Sequence, residues 1–407
     1  MTSSTLSLLV EALRAGKSKC RLSPRQHRVL RRILACGTGE LGHHVYRCIH
    51  CERIHAVAHS CRDRHCPRCQ SREANRWLEK QREALLPVPY FHVVFTLPHQ
   101  LNGLIAQNPQ ACLNLLFAAA GSTILSFAKN NSGLVPGITA VLHTWGQTLC
   151  RHYHIHMIVT GGGLGVSGDE WVESQNPAWL FSTRALGQVY RARYLEGLEK
   201  LFSEDRLEFH GKLEAWRGKD HFARQLRTLS RRKWNVYAKA PFGGPEAVLR
   251  YLSLYTHRIA ITAGRVLAHD RGAGTVSFRY RDYRQPGAPQ ETMRLEEGEF
   301  TRRFCNHILP TRFCKIRHYG IQSTRNRKSK IALCRYYLQG RLELVLRNFD
   351  EGAAAAPEDA DAGGPGEERG EATAAGKCPH CGSKKLKLLW VTGTDGACDR
   401  ANDRGPP

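Results

Sequence analysis

The stretch His152-Tyr153-His154-Ile155-His156 carries three imidazoles at alternate positions and runs on into Met157-Ile158-Val159 and Gly161-Gly162-Gly163. Its β-branched, apolar flank predicts a strand, and on a strand alternate side chains share one face. Two neutral imidazoles two residues apart on that face can chelate one divalent cation. A hairpin closing across Cys150-Arg151 sets residues 139–149 against 152–160 and turns both His143 and Gln147 toward the His154/His156 pair. Either can complete a three-ligand site that leaves positions open for a phosphate oxygen and water. An all-histidine set suits catalytic Zn²⁺, whereas phosphodiester cleavage generally uses Mg²⁺ or Mn²⁺. A metal of this kind needs a nucleophile, and Arg250-Tyr251-Leu-Ser-Leu-Tyr255-Thr-His257-Arg258 offers two. On a helix Tyr251 and Tyr255, at i and i+4, stack on one face about 6 Å apart. A phenol becomes a covalent nucleophile at phosphorus once a nearby cation favours the phenolate.

The charge of the chain names a partner for that chemistry. Lysine and arginine number 60 against 36 acidic residues, for a formal net charge of +24. Such an excess points to a polyanion, most simply nucleic acid. Candidate contacts are Arg62 and Arg64 in the cysteine block, Arg258 beside the tyrosines, and Arg317, Arg325, Arg327 and Lys328 in the acid-free stretch from Arg312 to Lys330. Tyr319 lies among the last group, and charge interleaved with an aromatic suits single-stranded DNA.

The 15 cysteines raise the question of disulfides. Met1 to Ala15 shows no secretory signal pattern, and the cysteines cluster in C-x-x-C pairs, which favours metal over disulfide. Cys48-Ile-His-Cys51 and Cys66-Pro-Arg-Cys69 have the spacing of a structural tetrahedral zinc site. The expected ligands are Cys48, Cys51, Cys66 and Cys69, with Cys61 as the substitute and His65 as a further nearby donor. Cys378-Pro-His-Cys381 is one more knuckle without an evident second pair.

The elements that must position these groups are legible in outline. Ser23-Pro24-Arg25-Gln26 reads as an N-cap, a first-turn proline and a capping-box glutamine, opening a helix toward Gly37. Residues 90–97 read as a strand, Ala111–Phe127 as a buried helix too interrupted by Asn114, Gly121, Ser122 and Thr123 to span a membrane, and Ala185–Phe202 as a helix. Lys233–Lys239, Ile259–Val266 and Thr275–Tyr280 read as strands, with a helix opening at Gly244-Pro245. Residues 351–376 contain no large apolar residue and read as a disordered acidic linker. The expected division is 1–88 helical and zinc-binding, 89–345 catalytic, and 346–407 linker and tail.

Taken together these features resemble a known family: the bacterial rolling-circle insertion-sequence transposases, HUH nucleases with two catalytic tyrosines and an N-terminal zinc-binding domain. The resemblance covers most of residues 20–335. It rests on Ser60-Cys-Arg-Asp-Arg-His-Cys-Pro-Arg-Cys-Gln70, Leu142-His-Thr-Trp-Gly146, His154-Ile-His156 with the three glycines, and Tyr251-Leu-Ser-Leu-Tyr-Thr-His-Arg258. Glu299-Phe-Thr-Arg-Arg-Phe-Cys-Asn-His-Ile-Leu-Pro310 and Ile316-Arg-His-Tyr-Gly320 add to it. The resemblance implies an α+β fold built on an antiparallel sheet of ferredoxin or RNA-recognition-motif plan. It implies that His154 and His156 are the metal ligands with His143 as the third, Gln147 being the alternative, and that Tyr251 and Tyr255 are the nucleophiles. It implies structural Zn²⁺, catalytic Mg²⁺ or Mn²⁺, single-stranded or hairpin DNA ends as partner, no membrane, and a cytoplasmic, nucleoid-associated location. The implied activity is nicking and rejoining of one strand through 5′-phosphotyrosine in rolling-circle transposition. The alternatives are a plasmid relaxase or replication initiator, and a non-catalytic zinc-dependent DNA-binding protein. Relaxases and initiators more often carry a helicase, and no G-x-x-x-x-G-K-[ST] loop is present. Departures from the family pattern are Tyr153 where proline is frequent, Arg312 where glycine is common, and the alanine-rich acidic tail.

Overall fold

The second N-terminal helix forms where its cap dictates. This computed structural model describes residues 5–174, 181–239, 247–248, 251, 256, 258–282, 289–339, 377–393 and 398–400. After α1 (Thr5–Gly16), α2 (Pro24–Leu34) opens on the predicted capping box. The Gln26 N–H donates to Ser23 Oγ at 3.3 Å, and the Ser23 N–H donates to Gln26 Oε1 at 2.8 Å, satisfying two orphan donors of the first turn. The hairpin β1 (His43–Cys48) and β2 (Ile54–Ala58) follows, then α3 (Pro67–Arg82). Leu9, Leu13, Leu30 and Ile33 of the first two helices share a core with Phe278, Phe300 and Phe304 from much later in the chain.

The central unit is β3 (Tyr90–Thr96), α4 (Asn102–Gln107), α5 (Pro109–Ser132), β4 (Leu134–Trp145), β5 (Arg151–Gly165), the short β6 (Trp171–Glu173), α6 (Thr183–Ser203), α7 (Lys219–Ser230) and β7 (Val236–Lys239). Its four main strands lie antiparallel in the order β7-β3-β5-β4, with α5 and α6 as the two crossovers. That is the β-α-β-β-α-β arrangement of the ferredoxin-like plan the resemblance implies. The period-two alternation sorts the sheet into two unlike faces. Val93, Phe95, Ile155, Met157 and Val159 point into a core shared with α5 and α6. His92, His143, His154 and His156 point the other way, where Ile158 packs with Val248 and Tyr251. Among the described helices α5 alone is long and apolar enough to cross a membrane. Cys112, Leu116, Phe117, Ala120 and Ile124 are buried against the sheet, so α5 is the buried core helix the sequence predicts. Gly163 meets a close approach: a Cβ there would lie 2.2 Å from the Val135 carbonyl oxygen, beside the β4 bulge at Pro136.

A second sheet of β8 (Val266–Asp270), β9 (Thr275–Arg281) and β10 (Gln290–Glu296) packs under α1 and the helix Glu297–Cys305. The strand expected over Ile259–Val266 begins only at its last residue, because Ala263–Arg265 form a 3₁₀ turn that carries Arg265 inward to the Arg279 carbonyl at 2.9 Å. Further on, β11 (Ile316–Gly320) pairs with the outer edge of β4, and the helix Arg327–Leu338 follows. Arg312 holds a left-handed backbone at φ 57°, a conformation that glycine adopts without the Cβ clash. Arg312→Gly should therefore raise the melting point, by an amount equivalent to about 1 kcal/mol of relieved backbone strain. A lower melting point in calorimetry would show that the arginine side chain outweighs the strain.

The chain then returns to its start. β12 (Leu386–Thr392) pairs antiparallel with β1, from His43↔Thr392 to Cys48↔Leu386, and β13 (Cys398–Arg400) extends the sheet to the order β13-β12-β1-β2. The acidic residues 351–376 lie outside the described residues. The expected third unit, 346–407, is thus corrected in its last part: a strand edge left open on β1 recruits residues 386–392 into the N-terminal module.

Candidate active site

The histidine cluster is a product of strand register. His143 on β4 stands directly opposite His154 on β5, and His156 follows two residues on, opposite Val141. The three can bring one ring nitrogen each within 4.8 Å of one another. The His154 Nδ1–H donates to the His152 carbonyl at 3.0 Å, the second contact that orients a ligating imidazole through its other nitrogen. Burial, with the neighbouring histidines and Arg258, holds His154 down at about 3 and His156 well below the usual range. Neutral imidazoles are the ligating form, so the donor set fits a divalent cation. Trp145 stacks on His143 at 4.7 Å between ring centroids and fixes its plane. Gln147 lies in the Gly146–Cys150 turn, beyond the end of β4, where its carbonyl accepts from Arg265. The turn is wider than a closure at Cys150-Arg151, because Leu149 takes a left-handed backbone (φ 60°) and its N–H donates to Gly146 O at 3.0 Å.

Tyr251 joins the cluster on this face, packed with Val248 and Ile158. Its hydroxyl lies 3.1 Å from His156 Nδ1 and 2.5 Å from His92 Nε2, and those two nitrogens are 2.9 Å apart. Tyr251 and Thr256 are buried helical positions, while Tyr255 lies outside the described residues. His92 is the residue that sequence reading missed. It is a lone imidazole in the apolar strand Tyr90–Thr96, on the face of Val94, which pairs with His156. Burial and Lys239 on the adjacent strand push it down to about 3. Its position in an otherwise apolar run was the available signal.

Beside the cluster, Arg64, His65, Trp145, Arg258, His307 and Lys315 line a cleft between the zinc module and the sheet. The Lys315 ammonium donates to the Arg258 carbonyl at 3.4 Å, and burial with Arg64 nearby lowers it to about 8. Of the other basic candidates, Arg62, Arg325 and Lys328 are exposed. Arg64 donates to the Pro310 carbonyl at 3.1 Å, and Arg327 to Gln81 Oε1 at 3.1 Å. Arg317 is corrected: alternation on β11 sends it to the helical side of the sheet, 4.2 Å over the Phe117 ring and bonded to Asn114. Tyr319 goes the same way, its hydroxyl donating to the Phe117 carbonyl at 3.2 Å.

The cysteines depart most from expectation. Cys48, Cys51, Cys66 and Cys69 do not form one group. Cys36, Cys61, Cys66 and Cys69 converge in one cluster, and Cys48, Cys51, Cys378 and Cys381 in another. The reason is the hairpin. Cys48 and Cys51 sit at its tip and Cys61 beyond its base, and a five-residue strand separates the two ends by roughly 16 Å. Cys36, at the end of α2, is brought to the base, where the Gly37 N–H donates to His59 O at 3.1 Å. Sγ–Sγ distances of 3.6 Å (Cys36–Cys69) and 3.7 Å (Cys61–Cys69) match the edge of a tetrahedron with 2.3 Å zinc–sulfur bonds, about 3.8 Å. His65 stays out of the group, its Nδ1 bonded to Asp63 at 2.8 Å and its Nε2 accepting from the Leu309 N–H.

Comparison with known proteins gives the lineage. Residues 137–330 match the family model described as "Putative transposase", and residues 9–97 match the "Transposase zinc-binding domain" of IS91 type. "Putative transposase y4qJ" of Sinorhizobium fredii (strain NBRC 101917 / NGR234) is 43% identical over 327 residues, covering 80% of this chain and 81% of that protein. "Transposase for insertion sequence element IS801" of Pseudomonas savastanoi pv. phaseolicola is 30% identical over 304 residues, 72% of this chain and 69% of that protein. No solved structure gives a significant match. An N-terminal zinc-binding domain ahead of a transposase domain, together with relatives matched over more than two thirds of their length, means that the chain belongs to the IS91-type family of insertion-sequence transposases.

Proposed function

We propose that this transposase nicks and rejoins single-stranded DNA at the ends of its element through tyrosine–DNA intermediates. One observation carries the proposal: the Tyr251 hydroxyl stands within hydrogen-bond reach of His92 and His156, on the sheet face that also presents His143 and His154. A divalent cation held by His143, His154 and His156, Mg²⁺ or Mn²⁺ for this chemistry, would neutralise charge developing on the scissile phosphate. The Tyr251 oxygen attacks phosphorus, its proton passing to the His92 side of the pair. The phosphorus–O3′ bond breaks, the 3′ oxygen takes a proton from water and leaves as a hydroxyl, and the 5′ phosphate remains on tyrosine. A 3′-hydroxyl attacking that phosphotyrosine reverses the exchange and joins strands. Tyr255, four residues on in the sequence, provides the second covalent joint that strand transfer needs. The cleft of Arg64, Arg258 and Lys315 supplies cations for the phosphate backbone, with Arg62, Arg325 and Lys328 outside it. Zn²⁺ on Cys36, Cys61, Cys66 and Cys69 holds the N-terminal module in place.

The test is incubation with single-stranded DNA from the element's own ends and Mg²⁺ or Mn²⁺, followed by a denaturing gel. A metal-dependent covalent adduct with release of a 3′-hydroxyl is expected. Cleavage without an adduct would make the enzyme a hydrolytic nuclease, and binding without cleavage would leave a DNA-binding protein only.

A further inference from the structure

We infer that the chain carries a second structural zinc site, formed by Cys48 and Cys51 with Cys378 and Cys381, which fastens the C-terminal segment to the N-terminal module. The matched zinc-binding domain ends at residue 97, so half of this site lies far outside it. Cys48 Sγ is 3.5 Å from Cys381 Sγ, and Cys51 Sγ is 3.6 Å from Cys378 Sγ. Both distances lie near the tetrahedral edge of about 3.8 Å and far beyond a disulfide bond of about 2.05 Å.

The two halves are built alike, although 327 residues separate Cys51 from Cys378. In each, the N–H of the first cysteine donates to the carbonyl five residues on: Cys48 to Arg53 at 2.9 Å, Cys378 to Ser383 at 2.7 Å. In each, the residue after the second cysteine takes a left-handed backbone, Glu52 at φ 57° and Gly382 at φ 72°. This repeated turn aims two sulfurs at a common point. The knuckles also touch each other, with the Ile49 N–H donating to Lys385 O at 3.0 Å and Arg53 lying 3.1 Å from His380 Nδ1. Four thiolates on one Zn²⁺ carry a net charge of −2, and Arg47, Arg53, Lys384, Lys385 and Lys387 lie within six residues of the cysteines in sequence, against the single acid Glu52. Soft sulfur ligands in a tetrahedron select Zn²⁺ or iron; with no redox step in strand exchange, zinc is the assignment. The site stands whether or not Tyr251 is the nucleophile.

Metal analysis of the purified full-length chain tests it. The two cysteine clusters of the wild type should account for two zinc equivalents, beside any held by the histidine cluster, and Cys378→Ser/Cys381→Ser should hold one fewer than the wild type. Cys61→Ser/Cys66→Ser should lose the other equivalent, and its failure to fold would leave the first comparison intact. Alkylation with mass mapping provides a readout independent of stoichiometry. Cys48, Cys51, Cys378 and Cys381 should be protected together and become reactive together on chelation. A single zinc equivalent in the wild type, iron in place of zinc, or alkylation of Cys378 and Cys381 while Cys48 and Cys51 stay protected would each overturn the assignment.

Discussion

His156→Ala is expected to suppress nicking by at least about 10²–10³-fold, the range lost when one group stabilising transition-state charge is removed. The imidazole lies at the centre of the site. It shares the cation cluster with His143 and His154, and its Nδ1 touches both Tyr251 and His92. Truncation therefore removes a ligand and loosens the nucleophile together. Binding of single-stranded DNA should change little, because the cations of the cleft and surface are untouched and phosphate contacts dominate affinity. The fold should survive, since His156 faces away from the core packed by Ile155 and Met157. Parallel assays of nicking and binding check this. Unchanged nicking would eliminate the histidine cluster as the metal site, and a matching loss of binding would reassign His156 to DNA contact. His154→Ala should behave alike.

The second large effect is at the tyrosines. Tyr251→Phe/Tyr255→Phe is expected to abolish the covalent adduct, because no phenol remains to attack phosphorus. Tyr251→Phe alone should leave a first nick or an alternative attack through Tyr255 but block completed strand transfer. The substitution keeps the ring against Ile158 and Val248 and deletes one hydroxyl, a stability cost of about 1 kcal/mol. Loss of the adduct is then a chemical effect and not unfolding, which circular dichroism can verify. An adduct persisting in the double variant would mean that another side chain is the nucleophile.

The local features of the fold were legible because local chemistry decides them. The Ser23/Gln26 capping box, the alternation on either side of His154, and the interrupted apolar run of α5 each need only neighbouring residues to be understood. Long-range partners were not legible. A C-x-x-C knuckle looks the same whichever knuckle it meets, so the pairing of Cys48 with Cys381 depends on hairpin length and on a strand far along the chain. His92 joins the site only through the register of β3 on β5. Arg317 is a different case: strict alternation along Ile316–Gly320 separates it from His318, whereas the acid-free charge from Arg312 to Lys330 reads as one DNA-facing stretch.

The pairing of β1 with β12 also sets an order of events during synthesis. The first cysteine cluster can assemble once residue 69 has emerged. The edge of β1 must wait for a strand made about 340 residues later; the bond from the His43 N–H to Thr392 Oγ1 spans 349 positions. At about 5–20 residues per second, that hairpin stays open-edged for roughly 20–70 s on every nascent chain. An open edge is a template for pairing with a neighbouring chain, so translation speed sets how long each polypeptide is exposed to mispairing with others on the same message.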